Sequence, residues 1–142
     1  MQPMDAEQVR AFVNQYGKTG KLATINKDGR PHCVPVWVSL VDDKLYFMTM
    51  KTSQKARNIA RDNRVAITFD SEDFPYDFVT IEGTAANVEV NDAELLEIST
   101  RIAARYVPSE RAEEYGRRNA VPDEALICIT PTKVISAAGV AN

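Results

Sequence analysis

The run from Pro31 to Val41 constrains this chain more than any other stretch. His32, Val34, Val36, Val38 and Leu40 alternate onto one face, and Cys33, Pro35, Trp37, Ser39 and Val41 onto the other. Both faces are largely apolar, and a strand apolar on both faces needs two covers. In a small barrel the interior supplies one cover, and a helix or another subunit must supply the second. Pro35 lies mid-run with no N–H to give to a ladder. It therefore places the stretch at a sheet edge, at a bulge, or where a ligand meets the backbone.

The flanking segments fit an antiparallel barrel. Asp5 with Gln8 three residues on forms a capping box. Val9, Phe12, Val13 and Tyr16 then fall on one helical stripe, ended by Gly17 or Gly20. From Lys21 the period becomes two. Leu22 to Ile25 reads as a strand leading into the Asp28-Gly29 turn, a strong hairpin signal. Further strands are expected over Leu45 to Met50, Arg64 to Asp70 and Phe78 to Val90, the last with Gly83 marking a bulge or bend. Thr52 or Ser53 caps a helix to about Arg61, and Asn91 with Glu94 opens another carrying Leu95, Ile98 and Ile102. Residues 109–120 read as a short helix or ordered loop. Ala125 to Thr130 and Lys133 to Ala138 close the chain as two strands split by Pro131. Six or seven strands, about three helices and no βαβ alternation give a mainly β or α+β domain spanning residues 1–142.

Composition removes most familiar chemistries. One His and two distant Cys leave no structural zinc site and no 2-His-1-carboxylate site, so no metal is expected. A Ser-His-Asp or Cys-His mechanism would have to run through His32, and there is no GxSxG elbow, GxGxxG or phosphate-binding P-loop. The net charge of −3 argues against nucleic acid as partner. The acidic start and the lack of any long apolar stretch predict a cytoplasmic protein without a membrane span. If the chain is an enzyme, a cofactor carries the chemistry.

Charge placement is the sharpest functional signal. Lys51, Lys55, Arg57, Arg61 and Arg64 against Asp62 alone give residues 51–64 a charge of +4, set in a background of −7. The first turn of a helix favours acids because the macrodipole is positive there. This helix instead presents Thr52, Ser53, Lys55 and Asn58 at its start. Free N–H groups, hydroxyls and cations together make a phosphate or carboxylate site. A solvated basic helix face is the plain alternative.

The order and spacing of three motifs resemble the pyridoxamine 5'-phosphate oxidase-like split β-barrel proteins. They are an ATxxxDGxPxxxPVW-like hairpin (Ala23, Thr24, Asp28, Gly29, Pro31, Pro35, Val36, Trp37), an SxKxxN segment (Ser53, Lys55, Asn58) and DxR (Asp62, Arg64). Within that superfamily the chain is most similar to flavin- and deazaflavin-dependent oxidoreductases, the latter using coenzyme F420. The resemblance implies a six- to seven-stranded split barrel and a homodimer with cofactors in grooves between subunits. It sets Pro35, Val36 and Trp37 beside the tricyclic ring, and Met48, Thr49, Met50, Lys51 and Thr52 along the ribityl chain. Thr52, Ser53, Lys55 and Asn58 fall at the phosphate. The implied reaction is hydride transfer between an F420 or FMN cofactor and a small organic substrate, with no obligatory side-chain acid or base. The catalytic residues are thus unassigned, and water, His32 or Tyr76 remain as proton sources. A non-catalytic module holding flavin, haem or a tetrapyrrole is the other class, and haem would look to His32 for its axial ligand.

Other conspicuous residues have plainer readings. His32 is expected to be partly buried and satisfied by a neighbour, and Trp37 to be a core or interface aromatic. Cys33 and Cys128 read as buried small apolar residues, and Arg117 and Arg118 as solvated. Phe74 and Tyr76 either line a substrate pocket or plug a barrel end.

Overall fold

Local signals set the elements, and long-range pairing sets their extent. A computed structural model describes residues 1–142. Its elements are α1 (Ala6–Val13), β1 (Gly20–Ile25), β2 (Pro31–Val36), β3 (Ser39–Val41), β4 (Lys44–Met50), α2 (Gln54–Arg61), β5 (Arg64–Asp70) and β6 (Phe78–Asn87). They continue with α3 (Asp92–Ala103), a 3-10 turn (Ser109–Arg111), α4 (Ala112–Asn119) and β7 (Glu124–Ala137). The Asp5–Gln8 capping box is complete. Ser53, not Thr52, caps α2 by accepting from the Ala56 N–H. Asn91 caps α3 through the Glu94 N–H, and the second bond of that pair runs from Asn91 Nδ2 to Glu94 Oε1 at 2.6 Å.

All pairings are antiparallel, and the seven strands form one sheet in the order β2-β1-β5-β6-β7-β4-β3. The sheet curls around a core that includes Leu22, Leu45, Phe47, Ile67, Phe69 and Ile129, with Phe12 and Val13 of α1 and Ile59 of α2 packed into it. β2 and β3 stand at the two ends of the order yet are joined in the chain by only Trp37 and Val38. The barrel is therefore split at that link.

Four expectations change. The Pro31–Val41 run is two short strands rather than one, and on β2 the outward Pro31, Cys33 and Pro35 are exposed. β2 pairs with β1 alone, so Pro35 lies on a sheet edge and needs no ladder partner beyond it. Cys33 is exposed for the same reason, because nothing within this chain covers that face, whereas Cys128 is buried. β7 is one strand of 14 residues instead of two. Pro131 does not break it because it sits at a bulge: Glu82 faces Lys133 and Gly83 faces Pro131, leaving Thr132 over. Thr132 Oγ1 donates to the Glu82 carbonyl at 3.1 Å. A Cβ on Gly83 would collide with the Thr130 carbonyl oxygen, which explains the glycine foreseen at a bulge. Finally, Tyr16 lies beyond α1 and is exposed. Residues 109–120 hold the expected short helix, preceded by a 3-10 turn.

Candidate functional site

The N-terminus of α2 has the features of an anion site. Its first turn holds no acid. Ser53 Oγ takes the Ala56 N–H at 3.1 Å and the Thr49 hydroxyl at 2.8 Å, and the Arg57 N–H bonds the Ser53 carbonyl at 3.1 Å. The Gln54 and Lys55 N–H groups have no acceptor within the chain. These are the orphan donors of a helix start.

Beside that start lies a cavity of about 210 Å³ lined by Pro35, Val36, Trp37, Met48, Lys55, Ser99, Ile102 and Asn119. The end of β2, the outward face of β4, the first turn of α2 and the α3–α4 pair thus converge on one space. Lys55 has no carboxylate within 4.0 Å. Glu124, opposite Met50 on β7, is the acid whose titration Lys55 influences. Burial pushes the Glu124 carboxyl above its ordinary value, Lys55 opposes that rise, and Asp123 adds to it.

Trp37 forms one wall and is 36% exposed. Its ring stacks on Tyr106 at 5.2 Å between centroids and 6° between planes, and Tyr115 leans on it at 6.4 Å. Arg111 and Arg118 each lie over the Tyr115 ring, at 4.9 and 5.2 Å.

Five of the eleven residues expected at the cofactor meet at this cavity: Pro35, Val36, Trp37, Met48 and Lys55. Ser53 stands at its helix start, and Thr52 and Met50 are exposed next to it in the chain. Lys51 instead lines a separate opening of about 370 Å³ with Ala56, Ile59 and Ala85. Thr49 is buried, bonded to Ser53. Asn58 is fully buried: its Nδ2 donates to Thr24 Oγ1 at 3.0 Å and to Asn26 Oδ1 at 2.9 Å, and its Oδ1 accepts from Gln54 Nε2 at 2.8 Å. It orients α2 against the β1–β2 hairpin and offers nothing to a ligand. Arg61 donates to the Ile25 carbonyl, and Arg64 pairs with Asp62 at 2.7 Å. The Arg64 guanidinium holds the Asp62 carboxyl at about 2.

The remaining candidates lie elsewhere. His32 lines a polar opening with Asn26, Lys27, Asp28 and Gln54, and its Nδ1 is buried without a partner, so the neighbour expected to satisfy it is missing. Phe74 and Tyr76 pack edge-on against each other at 6.0 Å, both exposed, and do not line the cavity. Arg117 lies within 3.7 Å of Glu113. Sequence reasoning missed Ser99, Ile102, Asn119, Arg105 and Tyr106. Only Ile102 carried a signal, its place on the apolar stripe of α3.

The profile of the pyridoxamine 5'-phosphate oxidase family matches residues 6–137. The chain belongs to that family. Among solved structures of this fold, a conserved hypothetical protein from Mycobacterium tuberculosis is 28% identical, with a TM-score of 0.79 over 94% of this chain and 84% of that one. An F420 reductase is 22% identical, with a TM-score of 0.66 over 88% of this chain and 94% of that one. The haem storage protein HutZ from Vibrio cholerae is 18% identical, with a TM-score of 0.73 over 96% and 98%. The last two likenesses show the fold alone, and their different ligands mark how widely it is used. No curated protein sequence matches the chain. No helix is long and apolar enough to cross a membrane.

Proposed function

We propose that this member of the family binds a flavin-type cofactor, coenzyme F420 with FMN as the alternative, and moves a hydride between it and a small organic substrate. One observation carries the reading: Lys55, a cation with no carboxylate within 4.0 Å, faces the same cavity as Trp37 at a helix start with two free N–H donors. That arrangement suits a ligand with a flat conjugated ring at one end and a phosphate at the other. When bound, the cofactor supplies the hydride chemistry. The chain supplies the rest: Lys55, Ser53 and the α2 N–H groups hold the phosphate, Pro35 to Trp37 flank the ring, and Met48 and Ile102 keep water from it. The anionic tail of F420 has Lys51 and Arg57 as its further partners, both exposed and without a carboxylate within 4.0 Å.

A second copy of the chain completes the site. The cavity of about 210 Å³ is smaller than the roughly 300–1,000 Å³ of a typical cofactor pocket. Cys33, Pro35, Trp37 and Met50 leave an apolar surface open around it. Non-catalytic haem binding is less well served, because His32, the one imidazole, lines a different opening.

The test is titration of purified protein with FMN and with F420, followed by fluorescence, on wild type and Lys55→Glu. The variant is expected to bind on the order of a hundredfold more weakly, as for a charge-assisted contact made repulsive. Unchanged affinity in a folded variant removes the phosphate assignment. Failure of the cofactor-loaded protein to reduce any of a panel of enones, quinones and nitroaromatics would favour a binding module over an enzyme.

A further inference from the structure

Val38 sits at the split in the barrel, is fully buried, and lies outside both β2 and β3. In a closed barrel its backbone groups would bond a neighbouring strand. Here two side chains take that part. The Val38 N–H donates to Tyr106 Oη at 3.1 Å, and Arg105 Nη1 donates to the Val38 carbonyl. Tyr106 Oη donates in turn to the Lys18 carbonyl at 2.8 Å and accepts from Arg105 Nη1 at 2.9 Å. Arg105 Nη2 reaches the Val13 carbonyl, left over at the end of α1, at 2.7 Å, and at 3.1 Å the Gln15 carbonyl just beyond it, which also accepts from the Lys18 N–H. Arg105 has no carboxylate partner within 4.0 Å, so backbone carbonyls and one hydroxyl are its bonded acceptors.

The same Tyr106 carries the Trp37 ring on its face, almost parallel. One residue thus ties down the backbone after Trp37 and the plane of its indole. We propose that Arg105 and Tyr106 are positioning residues for the cofactor: they hold Trp37 as a flat, pre-set wall of the cavity, against which the conjugated ring lies. The role in binding rests on the cofactor reading of the cavity; the clasp on Trp37 does not.

Trp37 is the only tryptophan, so its emission reports this wall without interference. Acrylamide quenching of Trp37 is measured in ligand-free wild type, Tyr106→Leu and Tyr106→Phe, with far-UV circular dichroism as the check on folding. Whichever of FMN and F420 binds wild type is then titrated beside its phosphate-free ring form. Tyr106→Leu removes stack and hydroxyl, and is expected to raise quenching about twofold. It should weaken both ligand forms by a similar factor of about ten, the range of one aromatic contact. Lys55→Glu should weaken only the phosphate-bearing form. Should Tyr106→Leu not fold, Tyr106→Phe decides by a rise in quenching in the same direction, since it frees the Val38 N–H but keeps the ring. Unchanged quenching in a folded variant overturns the clasp, and unchanged affinity of the ring form overturns its role in binding. If wild type binds no flavin or deazaflavin, the cofactor reading and the positioning role fall together, while quenching still judges the hold on Trp37.

Discussion

Replacing Asn58 by alanine separates holding a helix from holding a ligand. The substitution removes three short hydrogen bonds, to Thr24, Asn26 and Gln54, from a side chain with no exposed surface. Each buried neutral bond contributes about 1 kcal/mol net, and the Thr24 hydroxyl, itself 2% exposed, is left without its donor. A loss of about 3 kcal/mol follows, which at an m-value of about 2 kcal/mol/M lowers the urea midpoint by roughly 1.5 M. The assay is urea unfolding followed by circular dichroism, with Thr24→Val and the double variant closing a cycle. A coupling of about 1 kcal/mol between the two sites is expected. Cofactor affinity of the folded Asn58→Ala protein should fall much less than for Lys55→Glu. A midpoint unchanged within about 0.2 M together with lost cofactor affinity would refute the reasoning, because the amide would then have to act on the ligand.

Other changes have equally definite outcomes. Gly83→Ala drives a methyl into the Thr130 carbonyl at the bulge, and should cost about 2 kcal/mol or more in the same unfolding assay. Ser53→Ala removes the α2 cap and should cost about 1 kcal/mol and weaken FMN binding as well. Glu124 is disfavoured as an anion by burial, so its folded pKa lies above its unfolded one. The folded state then holds the proton more firmly, and stability falls as pH rises from the ordinary glutamate range through the raised value. Glu124→Gln should flatten that part of the pH–stability profile and be more stable than wild type at neutral pH; an unchanged profile would show that the carboxyl is not strained by burial.

What could be read from the sequence was local chemistry. The Asp5 and Asn91 caps and the Asp28-Gly29 turn each depend on a few adjacent residues, and each is present. Gly83 marks the place of the bulge, but the form of the bulge comes from Thr130 to Lys133 across the ladder. Lys55, Asn58 and Arg61 show where local reasoning stops. Residues three apart on a helix differ by about 60° in direction, so the set fans through roughly 120°. Lys55 faces the cavity, Asn58 the hairpin, and Arg61 the end of β1. Arg105 and Tyr106 gave no signal because their partners lie 67 to 92 residues away. Pro131 misled for a related reason, since whether it breaks a strand depends on Gly83 across the ladder.

The leftover Thr132 is spare to the ladder, because Gly83 and Glu82, consecutive on β6, already face Pro131 and Lys133. Because partners across a ladder share a face, removing Thr132 would join Pro131 to Lys133 and leave every later pair, and every later side chain, on its present face. Removing a paired residue such as Ile135 would instead slip Ser136 and Ala137 by one, and Ala137, now 4% exposed, would turn outward. The end of the chain is thus keyed to its pairs: the segment tolerates loss of the one residue outside the ladder far better than loss of one within it.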